Sequence, residues 1–241
     1  MKLFGSSPGE SIATKQSRLW RDESKIPPML VEETFNALTA IRWMECFSNA
    51  LKQHEARLTE LDAAIGDADH GVNMSRVATS LLEKIQHQEE ADLETLFRTT
   101  AMAFMSIGGG ASGPLYGSFF QGMGGRATGQ KNFCMESLVN ALEAGTQRVT
   151  TLGKAVAGDK TLVDVLLPCI ASLRASSLKR QTLAEALGKC AEVAADAAKA
   201  TIAMQAHKGR ASYLGARSVG HEDPGAASAQ LLFETLRQAF L

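Results

Sequence analysis

The residues best suited to chemistry lie between Glu60 and Ser75, ELDAAIGDADHGVNMS, where Asp62, Asp67 and Asp69 gather around Gly66 and Gly71. The spacing D-x4-D-x-D cannot put three carboxylates on one helical face, because same-face neighbours are three or four residues apart. A loop must collect them, and the two glycines permit the sharp turns it needs. Like charges held so close repel unless a cation neutralises them, and a hard divalent ion is the natural resident. A calcium loop of the EF-hand type starting at Asp67 would need an oxygen ligand at its fifth position and glutamate at its twelfth, where Gly71 and Ala78 stand. Magnesium fits better, since it takes a few carboxylates and completes its octahedron with water and substrate phosphates. An acidic loop in which one Asp caps a helix is the simpler alternative; the adjacent His70 and Asn73 weigh against it.

Three further segments suit phosphate. The run Gly108-Gly109-Gly110-Ala111-Ser112-Gly113-Pro114 formally contains G-x-G-x-x-G, but the preceding AMAFMSI has helical character, whereas a dinucleotide fingerprint follows a strand. Its glycines still admit a ligand to the backbone, Ser112 can cap, Pro114 suits the first helical position, and the N–H groups of a helix start attract anions. A plain connection between helices is the alternative. Gly153 to Thr161 resembles a P-loop with Asp159 inserted before Lys160, and no strand precedes it; Lys160 is expected either to meet a phosphate or to be a solvated lysine at a helix start. The stretch KGRASYLG, Lys208 to Gly215, places Arg210 in a turn after a long helix, where it could stabilise a transferring phosphoryl group or simply lie at the surface. Asp223-Pro224-Gly225 reads as the turn and N-cap of the last helix.

The elements that must position these residues are helical. Val31, Phe35, Leu38, Ile41, Met44, Phe47 and Leu51 recur every three or four residues, predicting a first helix from Met29 to about Gln53 that could run on through Leu58 and Leu61 to deliver Asp62 at its end. Similar periodicity and good helix formers predict helices over Val72 to Ile85, Leu93 to Ile107, Pro114 to about Gly122 and Ser137 to Val149. Others follow over Thr161 to Leu173, with a kink at Pro168, over the Ala-rich Leu183 to Met204, and over Gly225 to Leu241. No strand is predicted, so the fold class is all-α, with about eight helices and functional loops at their ends.

Residues 1 to 28 mix Ser, Gly, Lys, Arg and Glu without periodicity and end in Pro27-Pro28, predicting a flexible tail before a domain over 29–241. Glu10, Asp22 and Glu23 argue against a transit peptide. With 25 Lys+Arg against 26 Asp+Glu there is no basic excess to announce nucleic acid or an anionic membrane. The first residues lack a signal peptide's apolar centre, and no run reaches membrane-spanning length. The four cysteines are widely spaced with no CxxC pair, so free thiols in a cytoplasmic protein are expected.

Taken in order, ELDAAIGDADHGVNM, GGGASGPLYG, GDKTLVDVLLP and KGRASYLGARSVGHEDPGA closely resemble the nucleotide-binding L subunits of dihydroxyacetone kinases, over about residues 30 to 241. The resemblance implies a barrel of eight antiparallel amphipathic helices with the nucleotide, ADP or ATP, at one end. It implies that Asp62, Asp67 and Asp69 hold two Mg2+ ions and that His70, Gly71, Val72 and Asn73 meet the phosphates. Ala111 and Ser112 fall on the phosphate-contacting turn, and Gly153, Leu162, Arg210, Asp223, Pro224 and Gly225 fall on the remaining nucleotide contacts. Arg210 is the implied catalytic residue. Ala68 departs from the usual glycine and would be strained if the backbone there needs a positive φ.

In such kinases the ketone is bound by a separate K subunit or domain, for which this chain has no room, so a K subunit is the implied partner. The phosphoryl donor is either a phosphotransferase-system protein that recharges retained ADP or exchanging ATP, and a homodimer is compatible with the sequence. Two other readings stand beside this one. The chain could serve a related kinase acting on erythrulose or on a carrier-bound fatty acid, or it could be the nucleotide-loaded partner of a transcription regulator.

Overall fold

Asn36 opens the first helix, because its side chain accepts a hydrogen bond from the Thr39 amide at 3.0 Å. The computed structural model describes residues 34–86, 88 and 91–241. The expected tail over 1–28 and the expected helix start at Met29 therefore lie outside the described residues. Among the described residues are nine α-helices: α1 (Ala37–Gln53), α2 (Glu55–Ile65), α3 (His70–Ile85), α4 (Leu93–Ile107), α5 (Ser112–Ala127), α6 (Met135–Gly153), α7 (Val163–Leu178), α8 (Leu183–Ala200) and α9 (Pro224–Phe240). Two 3₁₀ segments, Thr201–Ala203 and Arg210–Ser218, join α8 to α9.

The all-helical expectation is met with small corrections. The single first helix is two, broken at His54, and α2 delivers Asp62 in its last turn. Phe35 and Asn36 are not helical but form β1 (Phe35–Asn36), paired antiparallel with β2 (Asn132–Phe133) so that Phe35 faces Phe133. Phe35 is still buried, stacked on Phe97 and Phe133, whereas Leu38, expected on the buried stripe, is 62% exposed. Helix α5 runs past Gly122 because its glycines let it press on α6: a Cβ on Gly122 would lie 2.7 Å from the Ala144 oxygen and the Gly145 Cα. Helix α7 continues through Pro168 as one helix. Helix α8 starts on a capping box of Thr182 and Glu185 and ends at Ala200, short of Met204.

Residues Glu33–Leu241 form one compact unit. Helices α4 through α9 each pack on the next, α9 packs on α1, α1 on α3 and α3 on α4, so the series of neighbours returns to its start; α2 lies against α3. Trp43, Phe47, Phe97, Phe104, Phe119 and Phe120 fill the middle. Trp43 Nε1 donates to the Leu232 carbonyl at 2.9 Å, tying α1 to α9. No helix among the described residues is long and apolar enough to cross a membrane. At one end of this helical array the connections α2–α3, α4–α5, α6–α7 and α8–α9 converge on a common cavity.

Candidate functional site

The acidic corner of that cavity is built by the turn between α2 and α3. Gly66 follows α2, and only glycine fits, since a Cβ there would lie 2.0 Å from Asp62 Oδ1. Ala68 then adopts φ +63°, the left-handed region that the sequence comparison with glycine anticipated. The turn brings the Asp69 and His70 amides onto Asp62 Oδ2 at 2.8 and 3.1 Å, so α3 is capped by a carboxylate of the preceding helix and begins two residues before the expected Val72. One oxygen from each of Asp62, Asp67 and Asp69 lies within 4.8 Å of the others. Such a set of hard oxygen donors fits a magnesium-type cation. Arg210 Nη2 reaches Asp67 Oδ2 at 2.9 Å.

His70 turns inward from this corner and is wired on both ring nitrogens. Nδ1 lies 3.0 Å from Ser112 Oγ and Nε2 lies 3.0 Å from Ser228 Oγ, which is also 2.8 Å from the Tyr116 hydroxyl. Ser228 spends its one proton on the Gly225 carbonyl at 3.0 Å. Both Tyr116 and His70 Nε2 must then donate to Ser228, which leaves Nδ1 to accept from the Ser112 hydroxyl. Burial holds His70 below the usual imidazole range, against the nearby Asp62 and Asp69 carboxylates and a hydrogen bond at the Pro224 backbone, and it pushes the Tyr116 phenol up. A neutral imidazole thus fixes the Ser112 side chain at the cavity wall.

The cavity encloses about 430 Å³. Of the residues singled out from the sequence, Asp62, Asp67, Asp69, His70, Ala111, Ser112, Gly153, Leu162, Arg210, Asp223, Pro224 and Gly225 all line it. Ala111 and Ser112 present the start of α5, and Asp223-Pro224-Gly225 that of α9, whose Ala226 amide is held by Asp223 Oδ2 at 2.7 Å. A Cβ on Gly225 would approach that same oxygen to 3.0 Å, a tight contact. Gly71, Val72 and Asn73 are not in the wall. Gly71 backs onto α2, where a Cβ would lie 2.1 Å from the Glu55 carbonyl; Asn73 packs behind Gly109; Val72 is exposed.

Lys160 fulfils neither expectation. It borders the cavity but is 1% exposed, and its Nζ donates to the carbonyls of Thr201, Met204, Ser218 and His221. Sequence reasoning also missed Tyr116 and Ser228 as parts of the His70 network, and Lys208 in the wall. Tyr116 and Lys208 stood inside motifs already singled out, but nothing marks Ser228 among the small residues of α9.

Comparison with known proteins follows the same residues. Residues 64–238 match the DAK2 domain family. The chain is 40% identical over 199 residues to the ADP-binding subunit DhaL of the PEP-dependent dihydroxyacetone kinase of Escherichia coli K12, covering 83% of this chain and 95% of that subunit. It is 39% identical to the ADP-binding subunit DhaL of PEP-dependent dihydroxyacetone kinase 1 of Listeria innocua, covering 85% and 98%. Among solved structures it is similar to the dihydroxyacetone kinase of C. freundii in complex with AMP-PNP and Mg2+, with a TM-score of 0.65, 27% identity, and coverage of 84% of this chain and 34% of that one.

Proposed function

We propose, for a chain that belongs to the DAK2 domain family, that it is the nucleotide-binding, phosphoryl-transferring subunit of a dihydroxyacetone kinase. The observation that carries this reading is the meeting of three carboxylates, two helix starts and Arg210 around one cavity. In this reading the neighbour series from α1 to α9 is the wall of an antiparallel helical barrel, residues 29–241 are the kinase domain, and the cavity at its end holds ADP or ATP.

Asp62, Asp67 and Asp69 hold the metal, two Mg2+ ions in our proposal. When bound, magnesium would offset the negative charge of the phosphates. The amides at the starts of α5 and α9 face the cavity as donors for anionic oxygens. Ser112, its hydroxyl proton directed to His70 Nδ1, is held in place beside them. Arg210 lies beside Asp67, so its guanidinium is within reach of a phosphoryl group bound near the carboxylates and offsets negative charge that develops there. Positioning and charge are what these residues contribute; no side chain here is placed as a covalent nucleophile in this mechanism.

The ketone is held by a separate K subunit. The PEP-dependent names of the relatives favour a phosphotransferase-system protein as donor, recharging a nucleotide that stays on the subunit. Purified protein with magnesium and labelled ATP tests this: retained ADP that exchanges slowly is the expected result. Rapid exchange would replace the donor with ATP, and no nucleotide binding would overturn the reading.

A further inference from the structure

The connector from Thr201 to Asp223 carries Arg210 yet has almost no core beneath it. Its buried apolar residues are Ala206 and Ala211, which meet only Ile65 and Leu214 in a small cluster apart from the main core. It is built of two 3₁₀ segments and turns, with Gly209, Gly215 and Gly220 at positive φ. Short 3₁₀ pieces with so little apolar contact do not hold a shape by themselves.

What fills the place of a core is one ammonium group. Lys160 Nζ donates to Thr201 O at 2.8 Å, Met204 O at 3.1 Å, Ser218 O at 2.8 Å and His221 O at 2.5 Å, two carbonyls from each end of the connector, which it draws together at the base of the loop that carries Arg210. The preceding residue adds to this, for the Asp159 carbonyl accepts from the His207 amide at 3.1 Å and Asp159 Oδ1 lies 3.4 Å from His207 Nδ1. The connector's own links, Ala206 N to Ser218 Oγ at 2.9 Å and Gly220 N to Ile202 O at 2.8 Å, close around the same point. Lys160 itself stands at φ +59°, a conformation a lysine keeps only where its surroundings hold it there.

We infer that Lys160 is a positioning residue: its buried ammonium is the internal cation around which the Thr201–His221 connector folds, and it thereby holds Arg210 against Asp67 at the mouth of the cavity. Lys160 touches no phosphate in this scheme, although its place in a P-loop-like GDKT suggests one. Without it these carbonyls would lose a charged donor, most costly at the buried Ser218 carbonyl, whereas that of Thr201 also accepts from the Met204 amide at 3.1 Å. An alternative cation of the right size and hydrogen-bonding capacity should therefore replace it.

The test uses the full chain and three readings. In K160M and K160A, trypsin should cut after Lys208 and Arg210 at least about tenfold faster than in wild type, and Mg-ADP affinity should fall by a similar factor, because the binding-competent arrangement is only fractionally populated. Addition of n-propylammonium to K160A should restore both, while tetramethylammonium, a cation without N–H donors, should restore neither. R210A should weaken nucleotide binding without opening the Lys208 site, which separates loss of the arginine from loss of its support. Hydrogen exchange on the wild-type protein needs no variant to fold, and the amides of Ala206, His207 and Gly220 should exchange about as slowly as those in the middle of α8. Wild-type cleavage and affinity in K160M, absence of propylammonium rescue, or free exchange of those amides would each overturn the inference. The proposal rests on the nucleotide reading for its affinity arm alone; cleavage and exchange report on the connector even if the protein binds no nucleotide.

Discussion

Ala68 occupies a left-handed conformation that costs an L-residue roughly 1–2 kcal/mol, in the turn that aims Asp67 and Asp69. A68G is expected to raise unfolding stability by up to about 1 kcal/mol, the relieved strain being partly offset by the greater freedom of glycine in the unfolded chain. A decrease in urea titration would show that Ala68 makes compensating contacts. Asp67→Asn removes charge from the cluster and the partner of Arg210, and should abolish magnesium-dependent ADP binding measured by calorimetry; normal affinity would contradict the metal assignment. Asp223 gives a pH prediction. Burial lifts its carboxyl from 3.8 to about 7, opposed by the Ala226 amide and the Lys160 charge and aided by Asp164 and Asp62. Between those values the folded state keeps a proton that the unfolded state has lost, so this group makes stability fall as pH rises through that window. D223N keeps a capping acceptor but no titration, so the difference in unfolding free energy between about pH 5 and about pH 8 should be smaller in the apo variant than in wild type. The residues of the acidic corner were legible because three carboxylates in eight positions leave few explanations. Lys160 was not, because its partners lie 41 to 61 residues away and no local pattern encodes them.

Helices were readable wherever an apolar stripe kept its period, as in α4, whose ends were predicted to the residue. The break at His54 was not, since neither Gly nor Pro marks it and the apolar spacing runs on from Leu51 to Leu58. Two-residue strands carry too little alternation to be seen, and Phe35 keeps its stripe position although its backbone is extended. The helix expected to end at about Gly122 runs on, and Gly122, with Gly145 from inside the next predicted helix, is the contact surface of α5 with α6. Gly122→Ala should therefore destabilise the protein by about 1–3 kcal/mol, despite the higher helix propensity of alanine, because the new methyl would lie 2.7 Å from the backbone of α6. A stabilising G122A in denaturant unfolding would mean that the two helices can move apart freely.

At the scale of the molecule, the site is an assembly of four connections that no single element contains. Ligand binding should accordingly act on global stability. Mg-ADP at about 100 times its dissociation constant adds about 2.7 kcal/mol, which for a domain of this size raises the melting temperature by roughly 5–10 °C. Chelating the metal should remove most of that shift, and an equal shift without magnesium would argue against a metal-dependent site. The same closure has a consequence for synthesis. The bond from Trp43 to Leu232 spans 189 residues, so α1 leaves the ribosome roughly 10–40 s before its partner exists. Throughout that interval α3 and α4 are already at hand, but the face of the first helix that packs on α9 has no native cover, which makes the nascent chain a natural client for chaperones, and closure of the helical series an event that waits until α9 has been made.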